Sequence, residues 1–435
     1  MSDSNLGPLQ DGGHVVIIGG GPGGAACAIA LRRLAHSLGQ EIWITVYEGK
    51  TFAGERHYNQ CVGIFSPPIR QILEDELGIP FPQHLVERYI SGYVLHGERR
   101  SLTLPDTTRE LSYALRRVMF DAYLLEQAQA AGIEVVHSRV TDVEIDNDGV
   151  TVYSESDNRR ADVLVGAFGL DSGTASALER ATPYRPPRFL DSIVTKIHPP
   201  GDYPEIASPS ADQIPSGRIH VFLPATPHIE FAAISPKADH LTINIAGARV
   251  TSAWMDYFLH GPAHKLLPFA DYEQLRNPQF SRYFRGRFPN FKGRFPISVA
   301  KGYYGDRYVI IGDAAGLVRA FKGKGINSAC LTGLWAARTI MTAGISASAF
   351  QQSYVHQCHE ILCDIPYGHL ARYAVIYASR FRQMDLALAL AEKYPPLRQA
   401  LFDAVSGSRP YRTIIRELLS SPFYRLPGRR SQAQK

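Results

Sequence analysis

The sequence lacks any long apolar run, and this excludes one class of protein. No stretch approaches the roughly 20 consecutive apolar residues that a membrane-spanning helix needs. The first apolar segment, residues 15–18, is short and follows an acidic, glycine-rich start, so it does not have the layout of a signal peptide. We therefore expect a cytoplasmic chain with at most peripheral membrane contact.

Cysteine is scarce, and its spacing excludes the common metal sites. There are five cysteines, an odd number with neither zinc-finger spacing nor the four-cysteine pattern of an iron–sulfur cluster. They are Cys27, Cys61, Cys330, Cys358 and Cys363. Reduced thiols in a reducing compartment are the simplest interpretation, and we expect no metal.

Charge is also modest, which argues against nucleic acid as a partner. The net charge of the 435-residue chain is +5 at a sequence pI of about 8.8. That balance is too weak to indicate nucleic-acid binding, and it equally suits an anionic cofactor, an acidic electron carrier or an anionic lipid surface. The length exceeds what one hydrophobic core usually serves, so two or more lobes are expected.

A glycine-rich turn lies between a short apolar strand and a helix. Residues 19–24 read Gly-Gly-Gly-Pro-Gly-Gly. In this G-x-G-x-x-G pattern Gly19 permits a tight turn, Gly21 lets the backbone approach a pyrophosphate, and Gly24 lets the helix pack on the strand. The next strand ends at Glu48, where a carboxylate can accept hydrogen bonds from the adenosine ribose. The pattern predicts a dinucleotide site, and the acid favours FAD or NAD over NADP.

A remote stretch favours FAD. Residues 308–316 read as a buried strand ending in Gly-Asp, followed by a loop and a helix from Gly325. Asp313 can hydrogen-bond a ribityl hydroxyl, while the helix end meets a phosphate or a flavin carbonyl. Taken alone, Asp313 is also compatible with a turn residue that caps a helix.

In these motifs the chain resembles the geranylgeranyl reductase family of FAD-dependent oxidoreductases, which are related to the aromatic hydroxylases. The matching pieces are the Gly19–Gly24 loop, Glu48, Arg117-Val118-Met119-Phe120-Asp121, the strand ending at Gly169, Gly312–Gly316 and residues 323–326. The resemblance implies non-covalent FAD, with Arg117 beside the pyrophosphate and Val140 near the adenine. It also implies that a loop with Gly323, Gly325 and Ile326 covers the pyrimidine end of the flavin. Arg117 is equally compatible with a solvated helix charge that has an acidic partner four residues on.

The resemblance extends to a cysteine–glycine element at residues 59–66. In the reductases this cysteine is thought to lie near the isoalloxazine ring and the double bond that is reduced, so Cys61 is the candidate catalytic residue. Alkene reduction needs a hydride on one carbon and a proton on the other, and a thiol can donate that proton. His57 and Tyr58 are further acid/base candidates. The alternative is a buried structural cysteine.

Two departures from the relatives bear on the electron donor and the substrate. Phe168 stands where aromatic hydroxylases have an aspartate that takes part in FAD and NADPH contacts, and Asp171 could compensate only in part. A protein donor such as a reduced ferredoxin is therefore an alternative to NADPH. A basic strip could dock such a carrier, although such strips are commonly solvated faces. It consists of Arg282, Arg285, Arg287, Lys292, Arg294 and Lys301. Residues 220–224 lack the Tyr and Trp of the reductases' substrate motif, so the substrate could differ from a geranylgeranyl chain.

The leading hypothesis is an FAD-dependent oxidoreductase that reduces carbon–carbon double bonds of a hydrophobic, isoprenoid-like substrate. The alternatives are a monooxygenase of the aromatic-hydroxylase type and an electron-transfer flavoprotein without small-molecule turnover. The expected fold is α/β plus β, a discontinuous Rossmann-type FAD domain of the glutathione-reductase kind with a mostly antiparallel β substrate domain. The predicted FAD domain is residues 1–60, 105–180 and 297–345, and the substrate domain is 61–104 and 181–296. Residues 346–435 are predicted to form a helical region with a basic tail, either a lid on the substrate domain or a membrane-contacting segment.

Overall fold

The computed structural model describes most of the chain. The described residues are 6–51, 61–106, 108, 110–197, 214–224, 226, 228–238, 240–267, 290–319 and 325–421. Several sequence-predicted residues lie outside them: His57, Tyr58, Arg282, Arg285, Arg287 and Gly323. Among the described residues, no helix combines the length and apolar character needed to cross a bilayer.

A six-stranded sheet carries the glycine-rich turn. Its strands are β1 (His14–Ile18), β2 (Trp43–Tyr47), β7 (Glu134–Val136), β11 (Val163–Gly166), β17 (Tyr304–Gly305) and β18 (Tyr308–Ile310). The order is β17-β18-β11-β1-β2-β7, with every pair parallel except β17 with β18. The interior strands are buried on both faces, which is why they read as unbroken apolar runs. The predicted Rossmann-type core is confirmed.

Helices cover this sheet. They are α1 (Pro22–Ser37), α3 (Arg117–Ala130), α4 (Ser172–Ala181), α6 (Gly312–Ala315) and α7 (Gly325–Thr342). The axes of α1 and α7 approach closely because their contact is made by glycine: a Cβ on Gly333 would lie 2.4 Å from the carbonyl oxygen of Gly23. This contact brings the amino-terminal ends of two helices to the same side of the sheet.

A nine-stranded sheet forms the second layer and is antiparallel except for one pair. Its strands are β3 (Ile64–Phe65), β4 (Val86–His96), β5 (Ser101–Pro105), β6 (Ser112–Leu115), β12 (Phe189–Ile197), β13 (Ser216–Phe222), β14 (Phe231–Pro236), β15 (Leu241–Gly247) and β16 (Phe291–Pro296). The order is β16-β12-β15-β14-β13-β4-β6-β3, with β5 on β4, and only β13 and β4 run parallel. Helix α5 (Ser252–His260) packs on β15 of this sheet, whereas helix α2 (Ile69–Gln71) and its π-helical continuation Ile72–Leu77 pack against α1 and α7. The predicted mostly antiparallel lobe is confirmed.

A small antiparallel sheet and a helical layer complete the fold. The strands β8 (Val140–Ile145), β9 (Val150–Ser154) and β10 (Asn158–Ala161) form a meander around the predicted Asp-Asn-Asp-Gly turn. The carboxy-terminal helices are α8 (Ala347–Ala349), α9 (Val355–Gln357), α10 (His359–Arg380), α11 (Met384–Lys393), α12 (Pro395–Ser406) and α13 (Tyr411–Ser420), with a π-helical turn at Phe350–Tyr354. Leu388 and Phe402 share one apolar core with Ile90 of β4, so these helices pack on the large sheet.

One sequence-based boundary was wrong. The sequence pattern of residues 113–131 predicts one continuous helix from Tyr113 to Ala131, whereas in the structure residues 112–115 form β6 and the helix begins at Arg117. All four residues of β6 are buried, and they pair with β4 and β3. Since a short apolar run carries no clear period, tertiary pairing decides between strand and helix here.

Candidate functional site

The turn after β1 is built by three glycines with three different surroundings. Gly19 has φ +105°, and a Cβ on it would lie 2.5 Å from the carbonyl oxygen of Ala167. A Cβ on Gly24 would lie 1.9 Å from the carbonyl oxygen of Gly19. A Cβ on Gly21 would meet no described atom within 4 Å, so the turn opens at this residue. The backbone is therefore closely packed on the protein side and open where a ligand would approach.

The amino-terminal end of α1 faces that opening. No side chain of the described residues caps it, its first turn holds no acid, and Pro22 occupies the first helical position. The first N–H groups and the positive end of the helix dipole are thus available to an anion.

Glu48 lies at the end of β2 beside the same turn. Its Oε2 accepts a hydrogen bond from the Gly20 backbone N–H at 2.9 Å, and its Oε1 accepts one from the Lys50 N–H at 2.8 Å. These bonds hold a half-buried carboxylate with acceptor capacity left for a ribose hydroxyl.

A buried, unsatisfied hydroxyl marks the neighbourhood of Val140. Val140 itself is buried at the start of β8. Two residues earlier, Ser138 Oγ is buried and has no hydrogen-bond partner among the described residues. A Cβ on Gly49 would lie 3.4 Å from Arg139 Cβ, so this segment lies against the residue that follows Glu48. Buried hydroxyls normally have a partner, and a ligand in this crevice would supply one.

Asp313 lies in the short helix α6, directly after β18. Gly312 has φ +59°, and its N–H donates to Thr332 Oγ1 of α7 at 3.0 Å. Burial raises the pKa of the Asp313 carboxyl, and the charge of Arg117 opposes that rise. A Cβ on Gly325 would lie 3.6 Å from Asp313 Oδ1, so the first turn of α7, with Ile326, begins against this carboxylate.

Arg117 is the first residue of α3 and joins these pieces electrostatically. Its Nε donates to Asp121 Oδ1 at 2.6 Å, and Asp121 is only 5% exposed. Burial acts to lower the pKa of Arg117, but the charge of Asp121, the hydrogen bond to Asp121 and the charge of Asp313 outweigh burial and raise it. Arg117 therefore does have an acidic partner four residues later, Asp121, but this ion pair is largely buried and is not a solvated surface pair.

Cys61 is exposed and lines a recess between the two layers. This excludes the alternative of a buried structural cysteine, and none of the five cysteines is in a disulfide. The Gly63 N–H donates to Cys61 Sγ at 3.3 Å, which turns the thiol towards the following backbone. The recess is lined by Cys61, Val62, Leu115, Arg116, Arg117, Val118, Lys196, Lys237, His240 and Thr242.

Sequence reasoning missed Lys237. This side chain is 3% exposed, and its Nζ donates to the carbonyl oxygens of Gly63 at 2.7 Å and Leu115 at 2.8 Å. Burial lowers the pKa of Lys237 to about 8. The ammonium thus ties the end of β14 to the Cys61 segment and to the entrance of α3. Only the position of a lysine directly after a six-residue buried strand could have signalled it.

The structure also shows the surroundings of Phe168, Asp171 and part of the basic strip. Asp171 caps α4 by accepting the Thr174 N–H at 2.8 Å, so its carboxylate has a structural partner. Phe168 packs edge-on against Tyr184, with ring centroids 5.9 Å apart. Of the basic strip, Lys292, Arg294 and Lys301 are described and exposed.

The donor set fits a dinucleotide. A helix end without a capping side chain suits the pyrophosphate, a carboxylate at the end of β2 suits the adenosine ribose, and the buried Ser138 hydroxyl lacks a partner. At the other end, Asp313 and the first turn of α7 offer a carboxylate and N–H groups to the second half of the molecule. The fold and this cradle together define the dinucleotide-binding flavoprotein class of architecture.

Comparisons with known proteins agree with that class. No protein-family profile matches the chain. One curated protein, the mitochondrial electron transfer flavoprotein-ubiquinone oxidoreductase of Caenorhabditis elegans, is 31% identical over 137 residues. That match spans 31% of this chain and 23% of the relative, so the aligned segment covers about a quarter of the relative's length.

Solved structures match over nearly the whole chain. A geranylgeranyl bacteriochlorophyll reductase-like protein of Thermoplasma acidophilum is 18% identical with a TM-score of 0.65, covering 94% of this chain and 99% of its own. The flavin-dependent brominase Bmp2 has a TM-score of 0.59 at 18% identity, covering 93% and 98%. The halogenase PltM, solved with FAD, has a TM-score of 0.59 at 17% identity, covering 96% and 87%. The predicted resemblance to reductase and hydroxylase flavoproteins is confirmed at the level of the fold.

Proposed function

We propose that this chain is an FAD-dependent oxidoreductase that reduces carbon–carbon double bonds of a hydrophobic, isoprenoid-like substrate. The observation that carries the proposal is the position of Cys61. Its thiol lines a recess whose other walls are Arg117, from the cofactor side, and Lys237 and Thr242, from the large sheet. A proton donor between a cofactor cradle and a substrate sheet is the arrangement that alkene reduction needs.

The cofactor would be held by the residues already described. The end of α1 at Gly19, Gly21 and Gly24 would hold the pyrophosphate with Arg117 beside it, and Glu48 would hold the adenosine ribose near Val140. Asp313 would accept from the ribityl chain, and the first turn of α7, with Gly325 and Ile326, would lie at the pyrimidine end. When bound and reduced by the electron donor, the flavin would supply the hydride that such a reduction requires.

The protein's own contribution is positioning and proton supply. Lys237 holds the Gly63 carbonyl and so limits the freedom of the Cys61 segment. The thiol then has a defined direction from which to donate a proton to the second alkene carbon. A separate cavity of about 250 Å³ lies between the large sheet and the helical layer. Its apolar walls are Pro67, Pro68 and Phe402, and the remaining walls are polar: Ser66, Asp106, Thr108, Glu110, Ser112, Ser406 and Ser408. The Ser66 carbonyl oxygen accepts a hydrogen bond from Asn327 in α7 at 3.1 Å, so this cavity adjoins the proposed flavin end.

The electron donor follows from the Phe168 position. With Asp171 engaged as a helix cap, no acid of the hydroxylase kind stands at the end of β11 among the described residues. We therefore propose a ferredoxin-like protein donor, with the exposed Lys292, Arg294 and Lys301 as docking cations, and a cytoplasmic location.

The test is anaerobic reduction of the purified yellow protein by NADPH, NADH and reduced ferredoxin, followed by addition of prenyl compounds. We expect rapid bleaching by ferredoxin, reoxidation by a prenyl acceptor and a product heavier by two hydrogens. A protein that takes up no FAD would overturn the cofactor assignment. A protein that is reduced by NADPH and, once oxygen is admitted, inserts an oxygen atom into a substrate would overturn the reductase proposal in favour of a monooxygenase.

A second function is favoured by one specific observation. The 137-residue match to an electron transfer flavoprotein-ubiquinone oxidoreductase suits a chain that passes electrons between a redox protein and a quinone-type acceptor. In the same anaerobic experiment, this function predicts reoxidation by a soluble quinone and none by prenyl compounds.

A further inference from the structure

The carboxy-terminal helical layer carries an unusual concentration of exposed apolar side chains. On α10 and the residue after it, five large apolar side chains are between 42% and 65% exposed. They are Tyr367, Leu370, Tyr373, Tyr377 and Phe381. Their spacing of three or four residues places them on one face of the helix. We call this face the α10 stripe.

The opposite face of α10 fixes the orientation of the stripe. Arg372 is buried and makes a bidentate pair with Glu230, with Nε to Oε2 at 2.7 Å and Nη2 to Oε1 at 2.6 Å. Ser379 Oγ donates to the Leu223 carbonyl oxygen at 2.7 Å. Because rotating the helix would break these buried bonds, the stripe cannot turn inward to hide its apolar surface.

Within the segment that carries the stripe, the charged residues are all basic. Residues 365–384 contain no Asp or Glu, and Arg380 and Arg382 are exposed at the carboxy-terminal end of the stripe. Arg382 lies 3.4 Å from Glu98, so Arg380 is the better placed to meet an external anion. By sequence, residues 422–435 add four basic residues and no acid. They follow α13, whose first turn is bound to α10 through the Arg412 N–H and Asp364 Oδ1 at 2.8 Å.

The area argues against a second copy of the chain as the occupant. With about 200 Å² for a large aromatic side chain and half of it exposed, the stripe offers on the order of 500 Å². A stable protein dimer buries about 800 Å² per partner. A narrow row of tyrosine, leucine and phenylalanine with cations at one end is instead typical of a helix that lies in a lipid headgroup layer.

We propose that the α10 stripe docks this protein on an anionic lipid surface. Tyrosine places an apolar ring towards the acyl chains and its hydroxyl among the headgroups, while Arg380 meets the lipid phosphates. The contact is peripheral, and it does not depend on the reaction that the protein catalyses.

The experiment is co-sedimentation of the full-length protein with lipid vesicles. We expect binding to vesicles that contain phosphatidylglycerol, weaker binding to phosphatidylcholine alone, and release by salt. Replacing two stripe residues, Tyr377→Ser with Phe381→Ser, should weaken binding at least about tenfold. The matched control is Trp43→Ser on the six-stranded sheet, which removes a side chain that is 71% exposed and should change nothing.

Circular dichroism and thermal unfolding show whether the double variant is folded. If it is not, Leu370→Ser on the same face replaces it. The proposal would be overturned if the wild-type protein does not bind anionic vesicles or if the double variant binds them as the wild type does. It would also be overturned if Trp43→Ser loses as much vesicle affinity as the double variant. A wild-type dimer that the double variant converts to a monomer, without vesicle binding, would identify a second copy as the occupant.

Discussion

The turn after β1 and the recess at Cys61 are both small polar sites, but they are assembled differently. The turn comes from one stretch of six residues, in which Gly24 lies against the Gly19 backbone and Gly21 faces open space. The recess draws on four remote stretches, with Cys61 before β3, Arg117 at the start of α3, Lys196 in β12 and Lys237 after β14. The first site needs only correct local geometry, whereas the second depends on the docking of two sheets.

The turn and the recess also differ in the charged groups that they contain. The turn offers N–H groups and a helix dipole, with no charged side chain in the first turn of α1. The recess holds three buried or half-buried cations, Arg117, Lys196 and Lys237. Arg117 pairs with Asp121, and Lys237 donates to two carbonyl oxygens. We therefore expect steric substitutions to damage the turn and charge-removing substitutions to damage the recess.

The largest effect is expected at Gly24. A methyl group there would lie 1.9 Å from the Gly19 carbonyl oxygen, so Gly24→Ala should lower the free energy of unfolding by more than about 4 kcal/mol or prevent folding. The control is Gly21→Ala, whose Cβ meets no described atom within 4 Å. It should fold normally and lose affinity for FAD at least about tenfold. Urea unfolding and flavin titration measure both; equal stability of the two variants would contradict the geometry.

The second-largest effect is expected on removing the Arg117 cation of the buried Arg117–Asp121 pair in α3. Arg117→Met removes the cation that is ion-paired with the buried Asp121 carboxylate, and we expect a loss of about 3 kcal/mol in unfolding free energy. Arg180→Met breaks a pair with Asp142 in which both side chains are at least half exposed, and it should cost under about 1 kcal/mol. Chemical denaturation of both variants tests this contrast, and similar losses would show that burial is not the cause.

The buried lysine predicts a pH dependence. Below about pH 8 the Lys237 amine is protonated in both folded and unfolded chains, so the cost of burying its charge is constant. Between about pH 8 and an ordinary lysine pKa near 10.4, the folded state releases the proton while the unfolded state keeps it. The wild type should therefore gain about 2 kcal/mol relative to Lys237→Met between about pH 7.5 and pH 9.5.

Urea midpoints of the wild type and Lys237→Met at both pH values measure this gain. A stability difference that does not change with pH would mean that the amine titrates normally. A Lys237→Arg variant serves as the control, because a guanidinium stays charged throughout the range.

The smallest effect on the free-energy scale is expected at Cys61. The thiol is exposed, so Cys61→Ser should leave unfolding within about 0.5 kcal/mol of wild type. If it donates the proton, turnover of a prenyl acceptor should fall about tenfold while flavin content is unchanged. Steady-state rates with matched flavin content test this, and an unchanged rate would remove Cys61 from the reaction.

Much of the fold could be predicted from the sequence. The β1–α1–β2 unit, the Asp-Asn-Asp-Gly hairpin and the helix from Gly325 were all correct, because each has a local signal in glycine position or apolar period. The strand at residues 112–115 was predicted as helix because its four residues are buried on both sides and carry no period. The roles of the predicted cofactor residues stay predictions.

The sequence by itself determined where the chain can turn tightly, because only glycine tolerates the backbone contacts at Gly19 and Gly24. The dinucleotide motif can therefore be recognised from six consecutive residues. The tertiary structure alone decided that Lys237 reaches the Cys61 segment and that one face of α10 stays exposed. The physical reason is that packing neighbours decide whether a lysine is buried and whether a tyrosine is exposed. Those neighbours lie more than a hundred residues away in the chain.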